Sequence, residues 1–153
     1  MLVVVQRVER ASVEADDRVA ASIGRGLLLL ACAVDGDTDD EVDWLAGKIA
    51  GLRIFDDAAG LTNLGLAEVG GEVLLVPQFT LAADWRKGRR PSFTAAARPP
   101  EAARLLERLS AGLQAAGVTV RSGVFGAAMR VELLNQGPFT LVLDSRQRPG
   151  GPT

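Results

Sequence analysis

The chain has no histidine among its 153 residues, which excludes the commonest general base and every histidine-dependent triad. It has one cysteine, Cys32, so a disulfide within the chain is impossible and a zinc site of the usual Cys/His type lacks ligands. Cys32 sits inside LLLLACAV, where apolar flanks raise a thiol pKa rather than lower it; it reads as a packing residue, not a nucleophile. Long apolar runs are missing too. The longest, Leu27 to Val34, is too short to cross a bilayer, and the opening MLVVVQRVERASV turns charged too early for a signal peptide. No GxGxxG or Walker-type loop is present, which leaves a nucleotide-binding reading without support. Neither sign of charge dominates: 17 Lys and Arg stand against 19 Asp and Glu, so a nucleic-acid partner has to be met by a local basic patch. A soluble, cytoplasmic protein is expected. Any catalysis must draw on carboxylates, hydroxyls, lysine, backbone dipoles or the substrate itself.

What is present suits one domain, since 48% of the residues are apolar, enough for a real core. Leu2 to Val8 reads as a strand, and Ala11 to Ala15 with Arg18 to Ser22 as a hairpin around Asp16-Asp17. Gly24 and Gly26 bracket a turn before Leu27–Val34, an apolar run suited to a strand covered on both faces. Asp37 and Thr38 are N-cap candidates for a helix whose apolar face is Val42, Leu45, Ala46 and Ile49. Leu52–Phe55 is a short strand followed by the turn DDAAG, and Glu72–Leu81 is another strand-like run. Pro99-Pro100 opens a second amphipathic helix, with Leu105, Leu106, Leu109 and Leu113 on one face and Gly117 at its end. Val118–Arg121, Met129–Leu134 and Phe139–Leu143 are closing strands, and the tail from residue 146 to 153 is expected to be disordered. The fold class is therefore α/β: a compact, β-rich single domain over residues 1–145, with mixed or antiparallel sheets and two main helices.

Three segments have the composition for chemistry. In VPQFTLAAD, Pro77 cannot donate to a sheet ladder and so marks a strand edge or bulge. Around it stand Gln78, Phe79 and Thr80. One reading is an edge strand with Phe79 in the core; the other is an opened ladder whose free backbone N–H groups bind a carbonyl or oxyanion. In DWRKGRRPSF, the cations Arg86, Lys87, Arg89 and Arg90 crowd around a glycine. This is either a solvated loop or a phosphate-binding patch, with Trp85 and Phe93 stacking on a base or packing inward. In LLNQGPFTLVLD, Gly137-Pro138 joins the residue most tolerant of unusual backbone angles to the one that readily accepts a cis bond. A tight or cis turn there aims rigid carbonyls outward, as a selection device rather than a catalyst.

Together these segments resemble the D-aminoacyl-tRNA deacylase family, whose members carry Ser-Gln-Phe-Thr and Asn-x-Gly-Pro-Val-Thr. Here those motifs stand as Pro77-Gln78-Phe79-Thr80 and Asn135-Gln136-Gly137-Pro138-Phe139-Thr140. The resemblance runs from VQRVERASV through IGRGLLLL, LRIFDDAAG and ADWRKGRRPSF to about Asp144. It implies a β-rich α/β homodimer, with the active site at the interface and no cofactor, metal, membrane or DNA partner. It implies a cis Gly137-Pro138 pair, lent by one subunit to its partner's pocket, whose carbonyls capture the amino group of a D-aminoacyl end and collide with an L side chain. Arg7 matches the arginine that holds that pair. Thr80 matches a threonine considered as a nucleophile, alongside an account in which the backbone of Gln78, Phe79 and Thr80 binds the oxyanion and the tRNA 2′-OH assists. Glycyl-tRNA, mischarged on tRNA(Ala), passes such a gate, and Arg86, Lys87, Arg89 and Arg90 are the expected tRNA contacts. The cellular role implied is chiral proofreading in translation quality control.

Two positions depart from the family pattern. Pro77 replaces serine, deleting a hydroxyl and an N–H at the pocket edge; Phe139 replaces valine beside the gate, where it is expected to narrow or reshape the pocket. These departures bear on how strictly L esters are rejected and keep a deacylase of relaxed stereoselectivity open. The alternative from another class is a tRNA- or RNA-binding module without hydrolysis, with Pro77 as the damaging change.

Overall fold

Alternation of aliphatic residues lays down the first strand, and a computed structural model describes residues 1–150 around it. Strand β1 (Leu2–Ala15) turns back through Asp16 and Asp17, both at positive φ (51° and 57°), into β2 (Arg18–Ile23). Two successive left-handed residues make the two-residue hairpin that suits the strand twist, and Asp tolerates them. Strand β3 (Gly26–Cys32) follows, then helix α1 (Asp39–Ala50), the short pair β4 (Phe55–Asp56) and β5 (Thr62–Leu64), and β6 (Glu72–Pro77). Helix α2 (Pro99–Ala115), β7 (Thr119–Ser122) and β8 (Met129–Asp144) complete the chain.

The main sheet is mixed. β1 pairs antiparallel with β3 through its first half and with β2 through its second, while β8 runs antiparallel along its other edge. β3–β6 and β6–β7 are parallel. Helices α1 and α2 are the crossovers of these two parallel pairs, and both lie on one face. There Val3, Val5, Leu27, Leu29, Val73 and Leu75 pack against Val42, Leu45 and Ile49 of α1 and Leu105, Leu109 and Leu113 of α2. On the opposite face Val8, Ala11, Val13, Ile23, Leu28, Leu74 and Val76 form a second core, so the sheet curls toward a barrel.

Local signals fix the helices. Thr38 accepts from the Glu41 N–H while Glu41 reaches back to the Thr38 N–H at 2.7 Å, a reciprocal capping box. Asp37, the other cap candidate, instead accepts from the Val34 N–H. Pro99 and Pro100 occupy the first turn of α2, where a missing N–H costs nothing. Arg108 then ties the two helices by donating to Asp39 and Asp43 of α1 at 2.8 and 2.6 Å.

Several expectations shift. The runs Leu2–Val8 and Ala11–Ala15 belong to one continuous strand, as do Met129–Leu134 and Phe139–Leu143. The segment Leu52–Phe55 contributes only Phe55 to a strand. The run Glu72–Leu81 stops at Pro77, and Phe79–Ala82 form a one-turn 3-10 helix. Ser145–Gln147 form a second 3-10 turn that takes in Arg146 and Gln147 of the tail expected to be disordered, and the Ser145 N–H is bonded to the Met1 carbonyl. Residues 151–153 of that tail lie outside the described residues. No described helix is long and apolar enough to cross a membrane.

Of the described glycines, Gly26 has the least room for a side chain: a Cβ there would stand 1.8 Å from the Glu72 carbonyl oxygen. That contact is backbone on both sides and cannot swing aside. Gly26→Ala is therefore expected to cost about 2 kcal/mol or more, lowering the melting temperature by at least ~4 °C in a thermal scan. An unchanged melting temperature would show that β3 and β6 separate freely at this point.

Candidate functional site

The parallel pair β3–β6 ends with Ala31 opposite Pro77, and a cavity of about 850 Å³ opens beyond these carboxyl ends. Such crevices are where sheets with parallel strands leave room for ligands, because connections diverge there. Its floor is Ala31, Cys32, Val76 and Pro77, and its rim includes Gln78 and Phe79. The opposite wall is the segment from Phe93 to Arg98, which runs against the end of β3: Ala97 N–H donates to Ala33 O, and Asp35 N–H to Ala95 O, both at 2.9 Å.

Pro77 lies at the end of a central strand, not on an edge strand, because β6 is flanked by β3 and β7. Its missing N–H costs little there: the pairing with β7 ends at Leu75–Ser122. The chain then leaves the sheet. Gln78 N–H still donates to Ala31 O at 2.8 Å, and the 3-10 turn begins at Phe79. The opening N–H groups of a helix have no partner within it. Those of Phe79 and Thr80 donate to no other group among the described residues, and Gln78 offers no side-chain cap. The Gln78 amide instead donates to the Thr80 hydroxyl at 2.5 Å. Phe79 is 59% exposed rather than in the core, and its ring meets Phe93 edge-on at 5.2 Å.

Cys32 is buried at the cavity floor, its thiol within 3.3 Å of the Ala33 carbonyl and 3.5 Å of the Phe79 carbonyl. Burial pushes its pKa up, with the Ala82 backbone N–H offsetting part of the rise.

The basic loop is pinned at its base by the Asp84–Ser92 bridge and leads directly into Phe93 on the cavity wall. Arg86 is not one of its free cations. It donates to both Asp84 oxygens at 2.9 and 2.8 Å, and the guanidinium holds the Asp84 carboxyl down to about 2. Lys87, Arg89 and Arg90 are exposed and form no ion pair among the described residues. Trp85 is 74% exposed beside them, whereas Phe93 packs on Phe79.

The second group of expected residues lies elsewhere. Between the pairs Gln6–Thr140 and Val8–Asn135 the β1–β8 ladder breaks, and Gln136 to Phe139 stand opposite Arg7 alone. This extra backbone loops out, with Gly137 and Pro138 exposed and the bond between them cis. Arg7, only 4% exposed, grips the loop's base: Nε donates to Gln136 O at 3.1 Å and Nη2 to Gly137 O at 3.4 Å. Its Nη1 donates to Ile54 O at 2.7 Å and to Asp56 at 3.4 Å. Phe139, expected to reshape the pocket, does not line the cavity; its ring lies 4.4 Å from the Arg7 guanidinium. Reading the sequence missed Asn135 and Asp56. Asn135 donates its side-chain amide to Arg7 O at 2.9 Å and Phe139 O at 3.2 Å, standing in for the ladder bonds lost at the break. The signal available was Asn two residues before Gly-Pro, since Asn substitutes for backbone where a ladder opens.

One chain thus brings Pro77, Gln78 and Phe79 to the cavity, with Thr80 next in the turn but not on its lining, and gathers Arg7, Gly137, Pro138 and Phe139 away from it. Arg7 is opposite Leu27 and Pro77 opposite Ala31, four residues along β3 and so about 13 Å apart.

Comparison with known proteins adds the following. Residues 4–144 match the family described as D-Tyr-tRNA(Tyr) deacylase. A D-aminoacyl-tRNA deacylase of Chloroflexus aurantiacus is 54% identical, the match covering 96% of this chain and 92% of that one. One from Thermomicrobium roseum is 52% identical over 99% and 98% of the two chains. Among solved structures, the c-Myc DNA Unwinding Element Binding Protein superposes with a TM-score of 0.86 at 34% identity, covering 94% of this chain and 98% of that one. A probable eukaryotic D-amino acid tRNA deacylase shares the fold, with a TM-score of 0.77 at 21% identity over 93% and 97% of the two chains.

The raised thiol pKa has a checkable consequence: at pH 7 to 8 little thiolate is present, and what exists is shielded. Iodoacetamide should alkylate Cys32 in the native protein at least ~10²-fold more slowly than in the urea-unfolded chain. Comparable rates would place the thiol in open solvent.

Proposed function

The chain belongs to the D-Tyr-tRNA(Tyr) deacylase family, and from that premise we propose that it hydrolyses the ester joining a D-amino acid to tRNA. In this reading two copies of the chain assemble, and the Gly137-Pro138 loop of one enters the cavity of the other. The separation of loop and cavity along β3 supports it, since within one chain the two do not meet. The outer edge of β8 supports it as well: no described strand pairs there, and Val142 on that strand is 70% exposed.

The observation that carries the reading is the grip of Arg7 on the loop. It leaves an exposed tip whose carbonyls have a fixed direction, able to accept from the ammonium of a D-aminoacyl group while an L side chain strikes the backbone. Glycyl-tRNA, without a side chain, passes. Water then attacks the ester carbon, and the N–H groups of Phe79 and Thr80 receive the developing oxyanion. The carbon–oxygen bond to the terminal ribose breaks, and the leaving 3′ oxygen takes up the proton surrendered by water, relayed through the neighbouring 2′-OH. No protein base is needed, which agrees with a chain that has no histidine. Lys87, Arg89 and Arg90 hold phosphates of the acceptor end at the cavity mouth, while Arg86 braces the loop through Asp84.

Incubating the purified protein with D-Tyr-tRNA and L-Tyr-tRNA tests this directly. Release from the D ester alone is expected. Salt-sensitive RNA binding without release from either would instead establish a binding module. Thr80→Ala is expected to slow release only a few-fold if the backbone does the work, whereas a loss of about 10³ would assign the hydroxyl a direct part, because each tenfold is ~1.4 kcal/mol of barrier.

A further inference from the structure

We infer that Trp85 is a stacking platform for an unpaired nucleotide of the RNA strand that leads into the cavity; the identity of that strand rests on the deacylase reading above. At 74% exposure Trp85 is the least covered large apolar side chain of the described residues. An indole left in water forfeits one of the largest burial gains any side chain offers. No ring and no cation among the described residues lies on its face. The other tryptophan, Trp44, shows the ordinary case: it packs against the core and carries the Lys48 ammonium over its ring at 5.7 Å.

The backbone on both sides of Trp85 is tied down. Asp84 exchanges two backbone hydrogen bonds with Ser92, at 2.7 and 2.9 Å, and the Arg86 N–H donates to the Asp84 carboxylate at 3.1 Å. Gly88, at a φ of 73°, turns the chain back at the far end of the loop. The indole is thus presented from a fixed base, which lowers the ordering cost of binding. Lys87, Arg89 and Arg90, exposed and without an ion pair among the described residues, stand in the same loop. Between Asp84 and Ser92 there is no other large apolar side chain, so the surface is one ring among cations rather than an apolar patch. That composition suits a polyanion with flat rings, and only an unpaired base leaves its face open, because a duplex stacks its bases on one another. The loop continues into Phe93 on the cavity wall, so a strand whose last nucleotide carries the ester in the cavity leaves past this loop. The occupant is therefore the single-stranded 3′ end of tRNA, upstream of the terminal nucleotide.

The test uses fluorescence, since the chain has two tryptophans and Trp44→Phe leaves Trp85 as the sole reporter. Its emission in the free protein should be that of an indole in water. Uncharged tRNA should quench it, whereas tRNA trimmed of its single-stranded 3′ end should not, nor should vesicles of phosphatidylserine and phosphatidylcholine. Trp85→Ala in the parent should bind intact tRNA about tenfold more weakly, within the range of an aromatic stack on a base, with an unchanged slope of log K against log salt. Lys87→Gln should instead lower that slope by about one. Trp85→Phe keeps a ring and should recover most of the affinity. Should Trp44→Phe not fold, the difference between the parent and Trp85→Ala isolates the same signal. Emission already blue-shifted in the free protein would mean that a second copy covers the ring, and equal quenching by trimmed tRNA or by vesicles would mean a different occupant. Each overturns the inference, as does a Trp85→Ala protein with parental affinity. Quenching by intact tRNA in a protein that releases no amino acid from D-Tyr-tRNA keeps the inference and overturns the deacylase reading alone.

Discussion

A buried guanidinium with its edges occupied organises this structure. Removing a charge from water costs several kcal/mol, recovered only when its hydrogen bonds are met inside. Arg7 recovers it from four sources: the Ile54 carbonyl, the Asp56 carboxylate, and the carbonyls of Gln136 and Gly137. Each donor fixes a different piece of backbone, so the turn into β4 and the break in the β1–β8 ladder are both located by one side chain. Without that arginine the four residues opposite it would have no reason to leave the ladder in one direction rather than another.

The cavity is built by a separate mechanism. Parallel pairing of β3 with β6 and of β6 with β7 puts two helical crossovers on one face and leaves the strands' carboxyl ends uncovered. Pro77 ends β6 there, and the 3-10 turn that follows leaves the Phe79 and Thr80 N–H groups without a partner among the described residues. The basic loop enters the same wall through Phe93, stacked edge-on against Phe79, so the loop and the cavity share one seam. In the proposed account the loop held by Arg7 is the complement of this cavity, supplied by a second copy.

Much of this was legible in the sequence, and the failures have physical causes. Helix α1 was readable because Thr38 and Glu41 are a local signal, and the β1–β2 hairpin because Asp16-Asp17 suits a left-handed turn. β8 looked like two strands because Gly137-Pro138 reads as punctuation; only the register along β1 shows one strand with an excursion. Phe79 looked like core because aromatic residues usually are, and its exposure depends on the chain leaving the sheet at Pro77, a tertiary event. Asp84 cancelling Arg86 was visible as spacing but not as geometry. Phe139 was legible as a neighbour of Gly137-Pro138, but that its ring faces the Arg7 guanidinium follows from the pairing of β8 with β1.

The central claim, a site completed by two chains, is tested most directly by subunit mixing. Gly137→Val alters the loop alone, since a Cβ there meets only Asn135 Oδ1 at 3.9 Å. Ala96→Trp fills the cavity alone. Each variant should be inactive by itself. Unfolded together and refolded, they should regain D-selective deacylation in the mixed dimers, where one intact loop meets one intact cavity. Mixed dimers that form, as counted by native mass spectrometry, and yet stay inactive would contradict the account.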